Sequence, residues 1–152
     1  MKAAQIVTPK EPLQIKDLEI PTPKEFEVVV KVKAVGVCHS DLHLWEGGYD
    51  AGAGSFMKAT DRGVKFPVTP GHEVVGTVSH IGSSVQGIKT GDDVLVYPWI
   101  GCGICPACKV GNENLCDAPR SLGVFQNGGY AEYVLVPNSK YLIKVSGIDL
   151  EG

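Results

Sequence analysis

Four of the five cysteines lie close together, and their spacing indicates a metal site. They are Cys102, Cys105, Cys108 and Cys116. The pattern C-x2-C-x2-C-x7-C offers four thiolates, which complete the tetrahedral shell of a structural Zn²⁺. It therefore predicts a zinc lobe over about residues 98–118, in which the ion staples a loop with few apolar side chains. An iron–sulfur cluster is the alternative, but its motif ends in Cys-Pro, whereas Asp117 follows the last cysteine here.

The fifth cysteine opens a short stretch that is crowded with polar side chains. They are Cys38, His39, Ser40, Asp41 and His43. Cys38 comes just before a predicted helix start, where the helix dipole favours a thiolate. Ser40 and His43 are three residues apart and share one helical face. Because such groups are costly to bury without a reason, the stretch indicates a site. A solvated turn with an incidental cysteine is the alternative.

A second polar pair, His72 and Glu73, follows the turn Pro70-Gly71 and begins a predicted strand. A histidine at the entrance of a strand is often a hydrogen-bonded residue at the rim of the core. Taken alone, the pair leaves a structural and a functional interpretation open.

The segments that must position these residues are mainly short β-strands. Apolar alternation and β-branched residues predict strands near 3–7, 13–18, 26–35, 73–81, 93–97, 130–136 and 141–145. Short strands joined by Gly/Pro turns predict a mainly β, compact antiparallel barrel or sandwich. Two short helices are expected, one over 40–46 with Ser40 as N-cap and Gly47-Gly48 as its end, and one over 106–110 before Gly111.

Residues 49–65 look like an inserted loop, with a helical turn predicted around Met57-Lys58-Ala59. The sequence Gly52-Ala53-Gly54 within it follows no strand and lacks a third glycine in the required place. It is therefore not a dinucleotide fingerprint, and none occurs elsewhere in the chain. Residues 146–152 resemble the first turn of a helix.

Composition excludes several classes of protein. The chain has 152 residues, 43% of them hydrophobic and 20% charged, which is typical of one globular domain. No apolar run is long enough for a membrane-spanning helix, and we expect no membrane partner. A net charge of −3 argues against a nucleic-acid partner. Clustered cysteines without an export signal predict a cytoplasmic location.

Three segments together resemble the signatures of zinc-containing alcohol dehydrogenases. In chain order they are Gly36-Val37-Cys38-His39-Ser40-Asp41, then Gly71-His72-Glu73-x2-Gly76-x5-Gly82-x2-Val85, then the four-cysteine pattern. Over essentially its whole length the chain is similar to the N-terminal catalytic domain, a GroES-like barrel, of the medium-chain dehydrogenase/reductase family.

The resemblance implies metal-site roles for four residues. Cys38 and His72 match two protein ligands of the catalytic zinc. Glu73 matches a carboxylate that enters the zinc shell or stands behind it. Asp41 matches the acceptor that orients the zinc-binding histidine.

It also implies roles around the substrate. Ser40 and His43 match a proton relay from the alcohol to solvent, and His39 matches a position near the cofactor's phosphates. Trp45 and Trp99 look like walls of the substrate pocket, although an aromatic residue anchored in the core remains the alternative for either.

The implied reaction is oxidation of an alcohol to an aldehyde or ketone with NAD or NADP, in a full-length enzyme that is a homo-oligomer. The family's third catalytic zinc ligand and its Rossmann domain are not found in these 152 residues. We therefore expect a catalytic-domain portion, 1–152, that is inactive alone. A stand-alone zinc-binding or oligomerising module is the main alternative, and a zinc hydrolase is a weaker one because no motif places a base.

Overall fold

The computed structural model describes residues 1–147 and 149–150, and β-strands dominate this part of the chain. The strands are β1 (Lys2–Gln5), β2 (Gln14–Asp17), β3 (Val28–Gly36), β4 (Gly48–Asp50), β5 (Phe56–Lys58), β6 (Glu73–Ile81), β7 (Asp93–Val96), β8 (Tyr133–Val136) and β9 (Leu142–Lys144). The helices are α1 (His39–Glu46) and α2 (Pro106–Lys109), and the 3₁₀ turns are Thr60–Arg62, Glu113–Leu115 and Ser139–Tyr141. None of the helices in the described ranges is long and apolar enough to cross a membrane.

Five strands form one antiparallel sheet in the order β8-β3-β6-β7-β9. Alternate residues of β6 are buried, as a half-buried strand requires. All five strands send side chains into a single buried cluster, which includes Val30, Val74, Val96, Val134 and Leu142. The sheet therefore curls around its own core, and the predicted mainly β antiparallel barrel is confirmed.

A second apolar cluster holds the segments that flank the sheet. Leu44 of α1 packs there with Ile6, Val64 and Val68. The backbone of Ile6 also pairs with that of Val68, at N···O distances of 2.9 and 3.1 Å. This cluster fixes α1 beside the beginning of β6, and the polar residues of both elements depend on that placement.

Helix α1 begins one residue earlier than predicted, and Cys38 rather than Ser40 is its N-cap. The cause is Asp41, whose carboxylate accepts the Cys38 backbone N–H at 3.0 Å, as the acidic residue of a capping box does. The end of the helix is as predicted, because Gly47 adopts the left-handed conformation with φ 81°.

The inserted loop differs from the expectation at its centre. Met57 and Lys58 are not in a helical turn but in β5, which pairs antiparallel with β4. Gly52 and Gly54 both have positive φ, so the chain reverses between them and forms a hairpin. The helical turn follows later, at Thr60–Arg62. A helix start is also expected over 146–152, but residues 146, 147, 149 and 150 are not helical, and residues 148, 151 and 152 lie outside the described part of the chain.

Candidate metal sites and active-site cavity

The pairing of β3 with β6 brings the two predicted polar segments together. Gly36, the last residue of β3, lies opposite Glu73, the first residue of β6. Cys38 follows the one strand and His72 precedes the other, so both leave the same end of the sheet. The ligand atoms of Cys38, His72 and Glu73 all lie within 4.8 Å of one another. These three residues, the Cys38 cluster, could hold a metal ion.

A buried carboxylate stands behind this cluster. Asp41 is only 6% exposed. It accepts hydrogen bonds from the backbone N–H groups of Cys38 and Gly71, each at 3.0 Å, and from the Tyr130 hydroxyl at 3.1 Å. Its Oδ1 also lies 3.4 Å from Nδ1 of His72, a buried nitrogen with no hydrogen bond of good geometry. A metal-binding histidine needs such an acceptor behind its second nitrogen, so the arrangement fits a metal at His72.

The charges of these groups act on one another. Burial raises the pKa of Asp41, but His72 and the two backbone N–H groups outweigh it and keep the pKa below its usual value. Asp41, and to a smaller extent Cys38, raise the pKa of His72 to about 9 against the lowering effect of burial. A metal ion that binds His72 must therefore displace a proton from the ring. The pKa of the Cys38 thiol is lowered, chiefly by hydrogen bonds with Ser40. The pocket therefore stabilises an ionised carboxylate and favours a thiolate, which is the form of cysteine that binds metals.

Sequence reasoning missed Tyr130. Its ring packs on Gly71, where an added Cβ would lie 2.5 Å from the Tyr130 Cδ1 atom. Burial and the neighbouring Asp41 raise the pKa of Tyr130 to about 12, so its hydroxyl is held as a donor to that carboxylate. Tyr130 lies 89 residues from Asp41 in the chain. No local pattern could have indicated their contact.

The two predicted relay residues face one cavity. Ser40 Oγ lies 3.2 Å from Cys38 Sγ, and both Ser40 and His43 line the cavity. The His43 ring stacks on the His39 ring at a centroid distance of 4.4 Å. His39 itself is exposed and lies outside the cavity lining.

The cavity has a volume of about 690 Å³ and opens over the Cys38 cluster. Its walls are largely apolar, and they include Leu44, Val64, Leu122, Val124 and Phe125. An apolar cleft with a few convergent polar groups is typical of a small-molecule site. The volume leaves room for a ligand larger than a short-chain alcohol.

Only one of the two tryptophans lies where the resemblance implied. Trp99 lines the cavity. Trp45 does not; it packs beside the second apolar cluster, and its Nε1–H donates to the backbone carbonyl of Glu11 at 2.7 Å. Successive residues of a helix point in different directions, so Trp45 turns away from the face that carries Leu44 into the cavity. Tyr49 and Arg62 are among the lining residues that the sequence did not indicate.

The four cysteines of the predicted lobe converge as expected. Their sulfur atoms all lie within 4.8 Å of one another, with Cys102 and Cys108 4.0 Å apart and Cys105 and Cys116 3.9 Å apart. A tetrahedral ion with Zn–S bonds of about 2.3 Å places its sulfurs roughly 3.8 Å apart. The distances are therefore right for one shared zinc ion and much too long for disulfide bonds.

Backbone amides surround these sulfurs. Cys116 Sγ accepts N–H groups from Cys102 at 3.2 Å and from Ala118 at 3.3 Å. Hydrogen bonds from Ile104 and Cys105 lower the pKa of Cys102 to about 6. Burial, by contrast, raises the pKa of Cys108 to about 12, so this thiol would lose its proton only to a bound ion. The amides stabilise the negative charge that thiolates carry around a divalent ion, and the donor set fits a structural zinc.

A carboxylate ties this lobe to the barrel. Glu113 accepts the Gly101 N–H at 3.0 Å and is also hydrogen-bonded to Lys140 and Tyr141, which precede β9. Burial tends to raise the pKa of Glu113, but the bonds from Lys140, Tyr141 and Gly101 outweigh it and lower the pKa to about 2. The lobe is therefore held by an ionised anchor as well as by its cysteines.

Comparisons with known proteins agree with this geometry. The family model for the alcohol dehydrogenase GroES-like domain matches residues 24–147. The NAD-dependent alcohol dehydrogenase of Sulfurisphaera tokodaii is 47% identical over 145 residues, which are 95% of this chain and 41% of that protein. The crystal structure of the alcohol dehydrogenase from Aeropyrum pernix aligns with a TM-score of 0.84 at 33% identity, over 99% of this chain and 42% of the other.

A further solved structure is that of a cobalt- and zinc-bound thermostable alcohol dehydrogenase from Pyrobaculum aerophilum. It aligns with a TM-score of 0.80 at 33% identity, over 99% of this chain and 43% of the other. In each of these comparisons the chain spans about two fifths of the length of its relative.

Proposed function

Because the chain belongs to the alcohol dehydrogenase GroES-like domain family, we propose that it is the zinc- and substrate-binding part of an NAD(P)-dependent alcohol dehydrogenase. One observation carries the proposal. Cys38 and His72 meet beside a cavity of about 690 Å³, and the buried Asp41 carboxylate lies directly behind His72. A merely structural barrel has no need of a buried charge in this place.

The Cys38 cluster would hold the catalytic zinc, and the four cysteines of the lobe would hold a structural one. A catalytic zinc supplies Lewis acidity, which lowers the pKa of a bound alcohol. The role of Asp41 is to orient His72 and to keep its metal-binding nitrogen free. Bound NAD, which the name of the Sulfurisphaera tokodaii relative indicates, or NADP would accept the hydride.

We assign the transfer of the alcohol's proton to Ser40 and His43. Ser40 Oγ lies beside the Cys38 sulfur, so a hydroxyl group bound at the cluster would be within its reach. His43 lines the same cavity, and an imidazole ring can accept a proton on one nitrogen and release it to water. His39, at the exposed start of α1, is proposed to face the cofactor, and Trp99 to contact the substrate. We also propose a cytoplasmic location and a homo-oligomeric complete enzyme.

The test is a fusion of this chain to the nucleotide-binding part of the Sulfurisphaera tokodaii relative, assayed with a panel of alcohols by NADH formation. We expect the fusion to reduce NAD⁺ and the chain alone to be inactive. Cys38→Ser and His72→Ala should abolish activity and leave the zinc of the four-cysteine lobe in place. Activity that survives both substitutions would overturn the proposal and favour a zinc-binding module.

A further inference from the structure

A cation lies in the wall of the cavity and takes no part in the proposed chemistry. Among the described residues that line the cavity, Arg62 is the one lysine or arginine. It comes from the inserted segment that carries the β4–β5 hairpin, not from the barrel. The proposed zinc and relay residues lie on other elements, so Arg62 is free to act on a different part of a ligand.

The structure fixes the backbone of Arg62 at this position. The residue ends the 3₁₀ turn Thr60–Arg62, and its N–H donates to the carbonyl of Ala59 at 3.1 Å. Ala59 and Val64, on either side of the turn, are both buried in the second apolar cluster. The guanidinium group therefore projects from an anchored turn rather than from a loose loop.

The guanidinium group has an aromatic neighbour but no anion. Its Cζ atom lies 5.9 Å from the ring centroid of Tyr49, at the outer limit of a cation–π contact. No carboxylate of the described residues lies within ion-pair distance of it. The hydrogen-bonding capacity of the Arg62 side chain is thus left for solvent or for a ligand.

Tyr49 links Arg62 to the polar end of the cavity. Its ring centroid is also 5.9 Å from that of His43, so two steps of this length place the guanidinium no more than about 12 Å from the His43 ring. Arg62 and the Cys38 cluster line the same cavity, so a ligand that spans the cavity can contact both. The walls between are largely apolar and would accept an aromatic or aliphatic body.

We propose that Arg62 is a specificity-determining residue, and that it selects alcohols that carry an anionic group, a carboxylate or a phosphate, at the end remote from the reacting hydroxyl. The inference rests on the proposed function, because it takes the Cys38 cluster as the site of that hydroxyl. Arginine suits the task because its planar fork binds carboxylate and phosphate oxygens in pairs.

Binding to the zinc-loaded chain tests the proposal without any need for turnover. The probes are 4-(hydroxymethyl)benzoate, its neutral analogue 4-(hydroxymethyl)benzamide and 4-(hydroxymethyl)phenyl phosphate, each titrated by calorimetry at low salt. We expect the anionic probes to bind more tightly than the amide. Arg62 is an exposed residue, so Arg62→Gln should weaken them about three- to fivefold, the range of an exposed ion pair, and leave the amide unchanged. The anionic probe that loses more affinity in Arg62→Gln shows whether Arg62 prefers a carboxylate or a phosphate.

Two variants sharpen this result. Lys65→Gln removes the same charge from an exposed residue outside the cavity, and we expect it to leave all three affinities unchanged. Arg62→Lys keeps the charge without the fork, and it should retain only part of the preference. If the preference for anions persists in Arg62→Gln, the anion binds elsewhere, for example at the zinc, and the proposal is overturned.

The proposal is equally overturned if the wild-type chain shows no preference for anionic probes, or binds none of them. The proposed function is judged separately, by the zinc content of the Cys38 cluster and by hydride transfer in the fusion. An active fusion without anion preference would therefore remove the inference about Arg62 alone.

Discussion

Asp41 and His72 face each other behind the Cys38 cluster, with Oδ1 of the one 3.4 Å from Nδ1 of the other. The carboxylate belongs to helix α1, and the histidine precedes strand β6. Their contact therefore joins two elements that the core brings together. It leaves the second ring nitrogen of His72 for a metal ion, as a buried carboxylate does behind many metal-binding histidines.

Removal of the Asp41 charge should weaken metal binding at this cluster. We expect Asp41→Asn to reduce its zinc affinity by about 10- to 100-fold, because the histidine loses the anion that orients it. Competition with a chromophoric chelator measures the effect. An unchanged affinity would show that His72 is oriented by other contacts.

Tyr130→Phe is the matched control for this experiment. It keeps the ring against Gly71 and the charge of Asp41, and it removes one hydrogen bond of 3.1 Å. The free energy of unfolding should fall by about 1 kcal/mol. The zinc affinity should fall by less than in Asp41→Asn.

The four-cysteine lobe should lose its order when one ligand is removed. We expect Cys105→Ser to release one zinc ion and to speed amide hydrogen exchange over residues 98–118, with little change in β6. The reason is that the zinc ion cross-links only the residues of the lobe. Cys38→Ser is the control, and it should leave exchange in the lobe unchanged. A brown, iron-containing protein would contradict the zinc assignment and favour an iron–sulfur cluster.

Gly71 should tolerate alanine much less well than Gly63. Both have φ of +90°, so either substitution introduces left-handed strain of about 1–2 kcal/mol. At Gly63 nothing lies within 4 Å of the added Cβ, whereas at Gly71 it would lie 2.5 Å from the Tyr130 ring. Overpacking should add about 1–3 kcal/mol in Gly71→Ala. Urea unfolding of the two variants measures the difference, and equal losses would contradict the tight packing of Tyr130.

The Glu113 anchor should make stability depend on pH in the acid range. Its pKa is about 2 in the folded chain and near 4.3 in an unfolded one. Because the folded value is depressed, the contribution is fully present above about pH 4.3 and is lost as the pH falls toward 2.

The comparison with Glu113→Gln isolates this effect. The zinc content of both chains is measured at each pH, and the difference between their free energies of unfolding is compared at equal zinc content. It should be largest above about pH 4.3 and shrink toward pH 2. Glu11→Gln, which removes an exposed carboxyl group without an ion pair in the described structure, should give no such trend. If the difference in the free energy of unfolding stayed constant across this pH range, it would contradict the role of ionised Glu113 as an anchor.

Much of the fold follows from local patterns. The alternation of apolar residues predicts the long strand Glu73–Ile81 to the residue, because a half-buried strand places every second side chain in the core. The end of α1 at Gly47 is equally local, since a left-handed C-cap favours glycine. The N-cap was harder to place, because Ser40 is the better capping residue by type and only the bond from Cys38 N–H to Asp41 reveals the actual start.

The sequence by itself indicated the two sets of residues that could hold a metal ion. The four cysteines are spaced to reach one ion within a single lobe, and Cys38, His72 and Glu73 stand in recognisable motifs at strand ends. Only the tertiary structure decided that Tyr130 supports Asp41, that Trp45 turns away from the cavity and that Arg62 lines it. These contacts join residues far apart in the chain, or depend on which face of a short helix is buried. The packing of the whole domain determines these contacts, and no local pattern of residue types predicts them.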